Sequence, residues 1–435
     1  MSSLEIGLIC IGVLVVLVAN RVPIGFALIG VSFVGIWWVG GPRAAWGTIS
    51  LVPQTFAATW ALSSIPMFLL MGYVSYRAGL TRGLFRFARL WLSALPGGLA
   101  VASVFGAAGF AAVTGSSVAC SAAMGRIAFP EMVQYGYQPR LAAGTLAVAG
   151  TLGALIPPSI LMILYGIIAQ VPIASLFMGG ISVGLITALG YILVIIVLVS
   201  FKPELAPPVV EDISWAMRFD ALKETLPVLV LIFGVFGGLL AGYFTPTEAG
   251  AVGAVMAIGI ALSMRSLSMS ELRKALVETL VTTSSLFIIG CGAALLVRFL
   301  ALSGSGEFIT DLVIGFGSDP VLLIIGIAFL YIVLGMFLEP IGTMLLTLPI
   351  VLPIVDEAGF SVIWFGVFLT KMLEIGMITP PMGMNVFVIK GVVGDAVSLG
   401  NIFRGILAFL TVDLAIIVVL IAIPAIVLVP VSWVN

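Results

Sequence analysis

Four short segments set hydroxyl side chains beside glycine or proline inside otherwise apolar stretches: TGSS at 114–117, GALIPPS at 153–159, GMFLEPIGT at 335–343 and GMITPPMGMN at 376–385. A helix does not run through such sequences unperturbed, because proline removes an amide donor and glycine loosens the backbone. Each break frees carbonyl oxygens and amides. Freed carbonyls suit a hard cation such as Na⁺, while half-helix N-termini and hydroxyls suit a carboxylate. Taken singly, TGSS reads equally well as a small-residue helix contact, and each double proline as a kink. Charged residues near the breaks add to the set. Lys371 and Glu374 are three apart and read as a mutual i,i+3 pair, with service to a substrate cavity as the alternative. Glu339, before Pro340, reads as a cap on freed amides more than as an ion ligand. Asp413 and Arg298 read as helix-packing or interface charges.

The elements that carry these segments follow from composition. Of 435 residues, 62% are hydrophobic and 9% charged, against about 25% charged in an ordinary soluble domain. Lipid satisfies no backbone polar group, so spans are helices or closed barrels, and continuous apolar runs without alternation select helices. With about 20 residues per crossing there is room for about 12–14 spanning or re-entrant pieces. The expected class is an all-α polytopic membrane protein. Residues 6–20 lack a basic leading region and read as a retained helix. There is no His, and Cys10, Cys120 and Cys291 are scattered, which removes the usual zinc sites, thiol pairs and His-assisted nucleophiles. No phosphate-binding loop of the Walker type occurs, and nothing points to nucleic acid. An enzyme is the least fitting reading.

Charge divides the chain. No charged residue occurs between Arg140 and Lys202, or between Arg89 and Arg126. The polar stretch 202–224, rich in proline, reads as a linker with a short surface helix around Trp215. The basic clusters Arg77–Arg82–Arg86–Arg89 and Arg265–Arg273–Lys274 mark the cytoplasmic face, and Trp37, Trp38, Trp60 and Trp91 read as interface anchors. Punctuation then recurs between the halves. Pro130 and Pro353, Gly136 and Gly359, Gly153 and Gly376, and Pro157 and Pro380 are each 223 residues apart, and Pro96 and Pro320 are 224 apart. The segment before Pro96 is basic. Its counterpart before Pro320 holds Glu307, Asp311 and Asp319 and no basic residue, which predicts a second copy lying upside down. On that pattern, helices are expected near 6–20, 22–40 and 50–75, a re-entrant hairpin at 96–130, a broken crossing at 140–170, and helices at 179–201, 226–243, 247–264 and 280–297. The hairpin and broken helix then repeat at 320–355 and 360–393, before a last helix near 405–430.

With these pieces in place, the chain resembles the large membrane subunit, of DctM type, of the tripartite ATP-independent periplasmic (TRAP) transporters over essentially its whole length. The resembling segments are RVPIGFALIG, LPGGLA, TGSSVA, GTLGALIPPSILMILYG, FLEPIGTMLLTLPI, TPPMGMNVFV and IFRGI. The resemblance implies a multi-pass protein of the bacterial inner membrane that imports small organic acids, such as C4-dicarboxylates or sugar acids, driven by sodium. It implies as partners a small four-helix membrane subunit of DctQ type, here expected as a separate chain, and a soluble periplasmic substrate-binding protein. It further implies an elevator: scaffold helices and an arm at 1–95, a first transport repeat at 96–178, scaffold helices with the linker and a second arm at 179–319, a second transport repeat at 320–395, and a last scaffold helix at 396–435. Carried over by position, the first sodium site uses Thr114, Ser117, Gly153, Ile156 and Pro158, and the second Gly335, Gly376, Thr379 and Met382. Thr114 stands where the family often has serine. Ser116, Ser159, Thr343 and Asn385 are substrate candidates from their chemistry alone. The alternatives are a stand-alone elevator permease of the wider ion-transporter superfamily and, from a different class, a channel or structural membrane protein.

Overall fold

A computed structural model describes residues 1–208, 213–316 and 319–433, and all secondary structure among them is helical. Among the described residues, nine helical stretches are long and apolar enough to cross a bilayer, and the all-α expectation holds. The first helix, α1 (Ser3–Ala19), opens on a reciprocal capping box between Ser2 and Glu5. Next, α2 (Ile24–Ala57) changes direction at Gly41, whose φ of +81° is open to glycine, and Pro42 follows where a helical segment restarts without needing its donor. The separate crossing expected at 50–75 is therefore not formed. Its first part belongs to α2, and its second, after a 3₁₀ turn at Trp60–Ser63, to α3 (Ser64–Arg77).

Helix α4 (Arg82–Leu92) is amphipathic, burying Leu84, Phe85 and Ala88 while Arg82 and Arg86 stay exposed. It leads into the hairpin of α5 (Gly98–Thr114) and α6 (Ser117–Gln134). The chain returns through α7 (Pro139–Gly150) and the short α8 (Leu152–Leu155), breaks at 156–159, and resumes as α9 (Ile160–Ile168). After α10 (Ile173–Phe201) comes the linker, of which 209–212 lie outside the described residues. The short surface helix expected around Trp215 is instead the first part of one long helix, α11 (Trp215–Leu240). Ser214 caps it through the Met217 amide, and Pro227 is accommodated inside it.

The second half follows the same succession. Helices α12 (Pro246–Ser263), α13 (Met269–Ser303) and α14 (Ser305–Phe316) precede a hairpin of α15 (Pro320–Phe337) and α16 (Pro340–Glu357). Then α17 (Val362–Gly376) breaks at 377–383 and continues as α18 (Met384–Val393), before α19 (Leu399–Ala422) and α20 (Ala425–Val431).

Two groups of helices emerge from the packing. Helices α2, α3, α11, α12 and α13 lie against one another, while α5 to α10 gather with α17, α18 and α19. In an 18-residue window of the stretch 139–168, 94% of the residues are buried, against 28–50% in the corresponding windows of the other eight crossings. The first broken helix is thus the axis of the second group. The last long helix, α19, expected with the scaffold, packs on α7, α10, α17 and α18.

Ion pairs define one face. Arg77 of α3 reaches Glu271 at 2.7 Å and Glu278 at 2.5 Å on α13. Arg86 pairs with Glu224 of α11, and Arg89 with Glu131 of α6 at 2.6 Å. Both basic clusters and the end of the linker therefore share a side, as the charge pattern predicts, and the excess of Arg and Lys marks it as cytoplasmic. Trp37, Trp38, Trp60 and Trp91 are all exposed, as interface anchors require.

Candidate functional site

The first hairpin tip and the first helix break meet backbone to backbone. Gly115 turns the tip at φ +63°, and a Cβ there would collide with the Pro158 carbonyl oxygen. A Cβ on Gly153 would stand 2.7 Å from the Ser116 carbonyl carbon. Only glycine permits this approach. Thr114, Ser117, Gly153, Ile156 and Pro158 thus flank one interlocked contact. The Thr114 hydroxyl donates to the Phe110 carbonyl at 3.1 Å, which leaves its lone pairs free. The Ser117 hydroxyl is buried with no hydrogen-bond partner.

The second tip and break repeat the arrangement with a different pair. A Cβ on Gly376 would lie 2.6 Å from the Gly335 Cα, so the two backbones touch. Thr379 donates its hydroxyl to the Ile375 carbonyl at 2.6 Å. The Asn385 amide N–H donates to the Met377 carbonyl at 3.0 Å, tying the start of α18 back to the end of α17. The Met382 side chain is exposed, so only its carbonyl is suited to face an ion. Glu339 caps α16 by accepting from the Gly342 amide at 2.8 Å, the role read for it from sequence.

Between the tips and the α3–α13 pair lies a cavity of about 450 Å³. Thr114 and Ser116 of the first tip and Glu339 and Ile341 around the second form one wall. Tyr73 and Tyr76 of α3, with Glu278, Thr282 and Ser285 of α13, form the other. The Tyr73 and Thr282 hydroxyls are 2.9 Å apart, and the Tyr76 hydroxyl accepts from Arg126 at 3.2 Å. An adjoining space of about 70 Å³ shares Ser116 and Glu339 and adds Ser117 and Glu374. No Lys or Arg lines either space among the described residues.

Of the four substrate candidates, Ser116 stands on the cavity wall, while its hydroxyl also caps α6 through the Ala119 amide. Ser159 is wholly buried and caps α9 through the Met162 amide, and the Thr343 hydroxyl, also buried, donates to the Glu339 carbonyl at 2.9 Å. Asn385 is wholly buried, and neither end of its side-chain amide has a partner. Sequence reasoning missed Tyr73, Tyr76, Thr282 and Ser285. They lie on helices that run unbroken through them, so no interruption sets them apart from lipid-facing neighbours.

The expected Lys371–Glu374 pair does not form. The Lys371 ammonium instead donates to Asp413 of α19 at 2.5 Å and to the Thr187 hydroxyl of α10 at 3.2 Å. Tyr191 completes the cluster by donating toward both Asp413 oxygens at 2.9 Å. A carboxylate held across two neighbouring helices wins over one on the lysine's own helix because Tyr191 and Thr187 hold the pair in place. Asp413 is a packing charge, as expected.

Paired hairpins and broken helices around one shared cavity define a class of membrane transporter. The family model of the tripartite ATP-independent periplasmic transporter, DctM component, matches residues 11–426. The chain belongs to this family, whose members are permeases rather than enzymes. It is 35% identical over 377 residues to the C4-dicarboxylate TRAP transporter large permease protein DctM of Pseudomonas aeruginosa, covering 86% of this chain and 87% of that one. It is 31% identical over 382 residues to the isethionate TRAP transporter permease protein DctMQ of Oleidesulfovibrio alaskensis, covering 87% of this chain and 59% of that longer protein. Among solved structures, the Alcanivorax borkumensis YdaH transporter superposes with a TM-score of 0.63 at 16% identity over 89% of each chain, a likeness of fold. The chain is therefore the large permease of a TRAP transporter, a multi-pass protein of the inner membrane.

Proposed function

We propose that this permease imports a small organic acid, of the C4-dicarboxylate or sugar-acid kind, in symport with sodium, and does so as an elevator. The observation that carries the reading is the convergence of both tips on one cavity whose opposite wall is the α3–α13 pair. Each tip is locked to its own break by a glycine contact, so tips and breaks are built to travel as one body. We include α10 and α19 in that body because they pack on the broken helices, which redraws the boundaries drawn near 179 and 396. The opposite charge of the two arms supports an inverted second copy. Tyr76 and Glu278 bring the cavity wall to the Arg77 face, which supports an inward-facing arrangement.

The donor set fits the ion. The first pairing offers the unpartnered Ser117 hydroxyl, the free lone pairs of Thr114 and the carbonyls of the break at Gly153, Ile156 and Pro158. The second offers backbone oxygens around Gly335, Gly376, Thr379 and Met382. Such neutral oxygens suit a monovalent hard cation. Without Lys or Arg on the wall, the anion is held by hydroxyls, by the amide ends of α6 and α16, and by the charge of the cation bound nearby. Ser116 is the best placed of the substrate candidates; Ser159 and Thr343 hold the helix starts beside the tips and breaks, while the buried side-chain amide of Asn385 is left without a partner.

The family membership supports two partners: a periplasmic binding protein that delivers the acid, and a small membrane subunit of DctQ type that braces the exposed faces of the scaffold. We take that subunit to be a separate chain, although the isethionate relative bears the joint name DctMQ. The test is uptake into proteoliposomes holding the permease and its small subunit, with the binding protein outside. An inward sodium gradient drives accumulation of the acid and a potassium gradient does not. Equal uptake with either cation contradicts the reading.

A further inference from the structure

Three charged side chains are withdrawn from solvent among the described residues: Lys371, Glu374 and Asp413. Lys371 and Asp413 are satisfied by each other, with Thr187 and Tyr191 completing the cluster. Glu374 is left over. Neither of its carboxylate oxygens has a hydrogen-bond partner, and the side chain is 1% exposed. The buried charges are thus one cation short, and an ionised carboxylate in such a place is strongly disfavoured without a counter-charge. The space it lines is the one of about 70 Å³ that also holds the unpartnered Ser117 hydroxyl. Ser117 and Glu374, two buried polar groups from different repeats with no hydrogen bond to any third group, stand beside each other on one small cavity. The position 223 residues earlier is Thr151, whose hydroxyl donates to its own helix at Val148, so nothing in the duplication demands an acid at 374.

We propose that Glu374 is the counter-charge of the cation bound at the first hairpin tip, closing the ion's shell opposite the break carbonyls. This rests on the sodium reading given above. One carboxylate from the second broken helix then matches one monovalent ion held by the first hairpin. Because Glu374 stands two residues before Gly376, the same contact ties the first pairing to the second. Filling one pairing orders the helix that builds the other, which makes sodium binding cooperative.

The experiment is sodium-dependent thermal stabilisation of the full permease in lipid nanodiscs, read by tryptophan fluorescence with choline as the control ion. The wild-type protein is stabilised along a sigmoidal sodium curve. Glu374→Gln moves the midpoint to about tenfold higher sodium or beyond and flattens the curve, while Glu374→Asp retains most of the response. A Gln variant with the wild-type midpoint overturns the inference and leaves the sodium reading standing. A wild-type protein indifferent to sodium overturns both. Should the Gln variant fail to fold, the wild-type protein decides: labelling of Glu374 by a hydrophobic carbodiimide, followed by mass spectrometry, slows severalfold in sodium relative to choline. Equal labelling in a protein that sodium stabilises removes Glu374 from the site.

Discussion

At the scale of single residues, the Lys371–Asp413 pair shows how buried charge is managed here. Tyr191 donates to both Asp413 oxygens, and Lys371 is shared with Thr187. Lys371→Met leaves Asp413 buried and uncompensated, at a cost of about 3–5 kcal/mol. Thermal unfolding in detergent should register that loss, and the double variant Lys371→Met with Asp413→Leu should recover much of it. If the double variant is no more stable than the single one, the pair has a role beyond neutralising its own charge. Ser117 and Thr379 carry the sodium assignment. Replacing either with Leu should abolish sodium-stimulated uptake while the protein still reaches the membrane in normal amount. Normal stimulation in both variants contradicts the assignment. The partner of Lys371 could not be read from sequence, because Asp413 lies 42 positions away and Glu374 only three. Spacing along one helix favours the near acid, and only packing of α19 on α17 brings in the far one.

At the scale of elements, the breaks were legible and their meetings were not. Clusters of glycine and proline beside hydroxyls weaken a helix more than a lone proline does, so the hairpins and broken helices fall where the spacing predicts. That Gly115 must touch Pro158, and Gly335 must touch Gly376, depends on how hairpin and crossing fold together. Gly115→Ala tests that contact. Alanine pays roughly 1–2 kcal/mol for the left-handed conformation alone, and its Cβ meets the Pro158 oxygen besides. The expected outcome is a lower unfolding temperature together with lost sodium stabilisation. A variant as stable and as sodium-responsive as the parent would show that tip and break do not interlock. Elsewhere the local signals misled. Pro227 and the polar turns after Trp215 look like a helix end, yet α11 continues through them, because a capped start and a long apolar run outweigh one missing donor. Gly41 and Pro42, in turn, kink the chain so that a second helical segment restarts at once and takes in the residues expected to begin a separate crossing.

At the scale of the whole molecule, composition points to the all-helical membrane class, and the positive-inside rule assigns the shared face of the Arg clusters to the cytoplasm. The grouping of the helices asks for more than sequence, since α19 looks like any apolar crossing and only its neighbours reveal its company. The central claim is that hairpins, broken helices, α10 and α19 shift together against α2, α3, α12 and α13. It is tested most directly by pulsed dipolar spectroscopy between spin labels at Gly259→Cys on α12 and Gly391→Cys on α18, both with open space around them, in a chain where Cys291 is Ser. Sodium with the loaded binding protein should move the distance distribution by more than a helical turn, about 5.4 Å, relative to the protein without either. One unchanged distance in a permease that still transports would contradict the elevator.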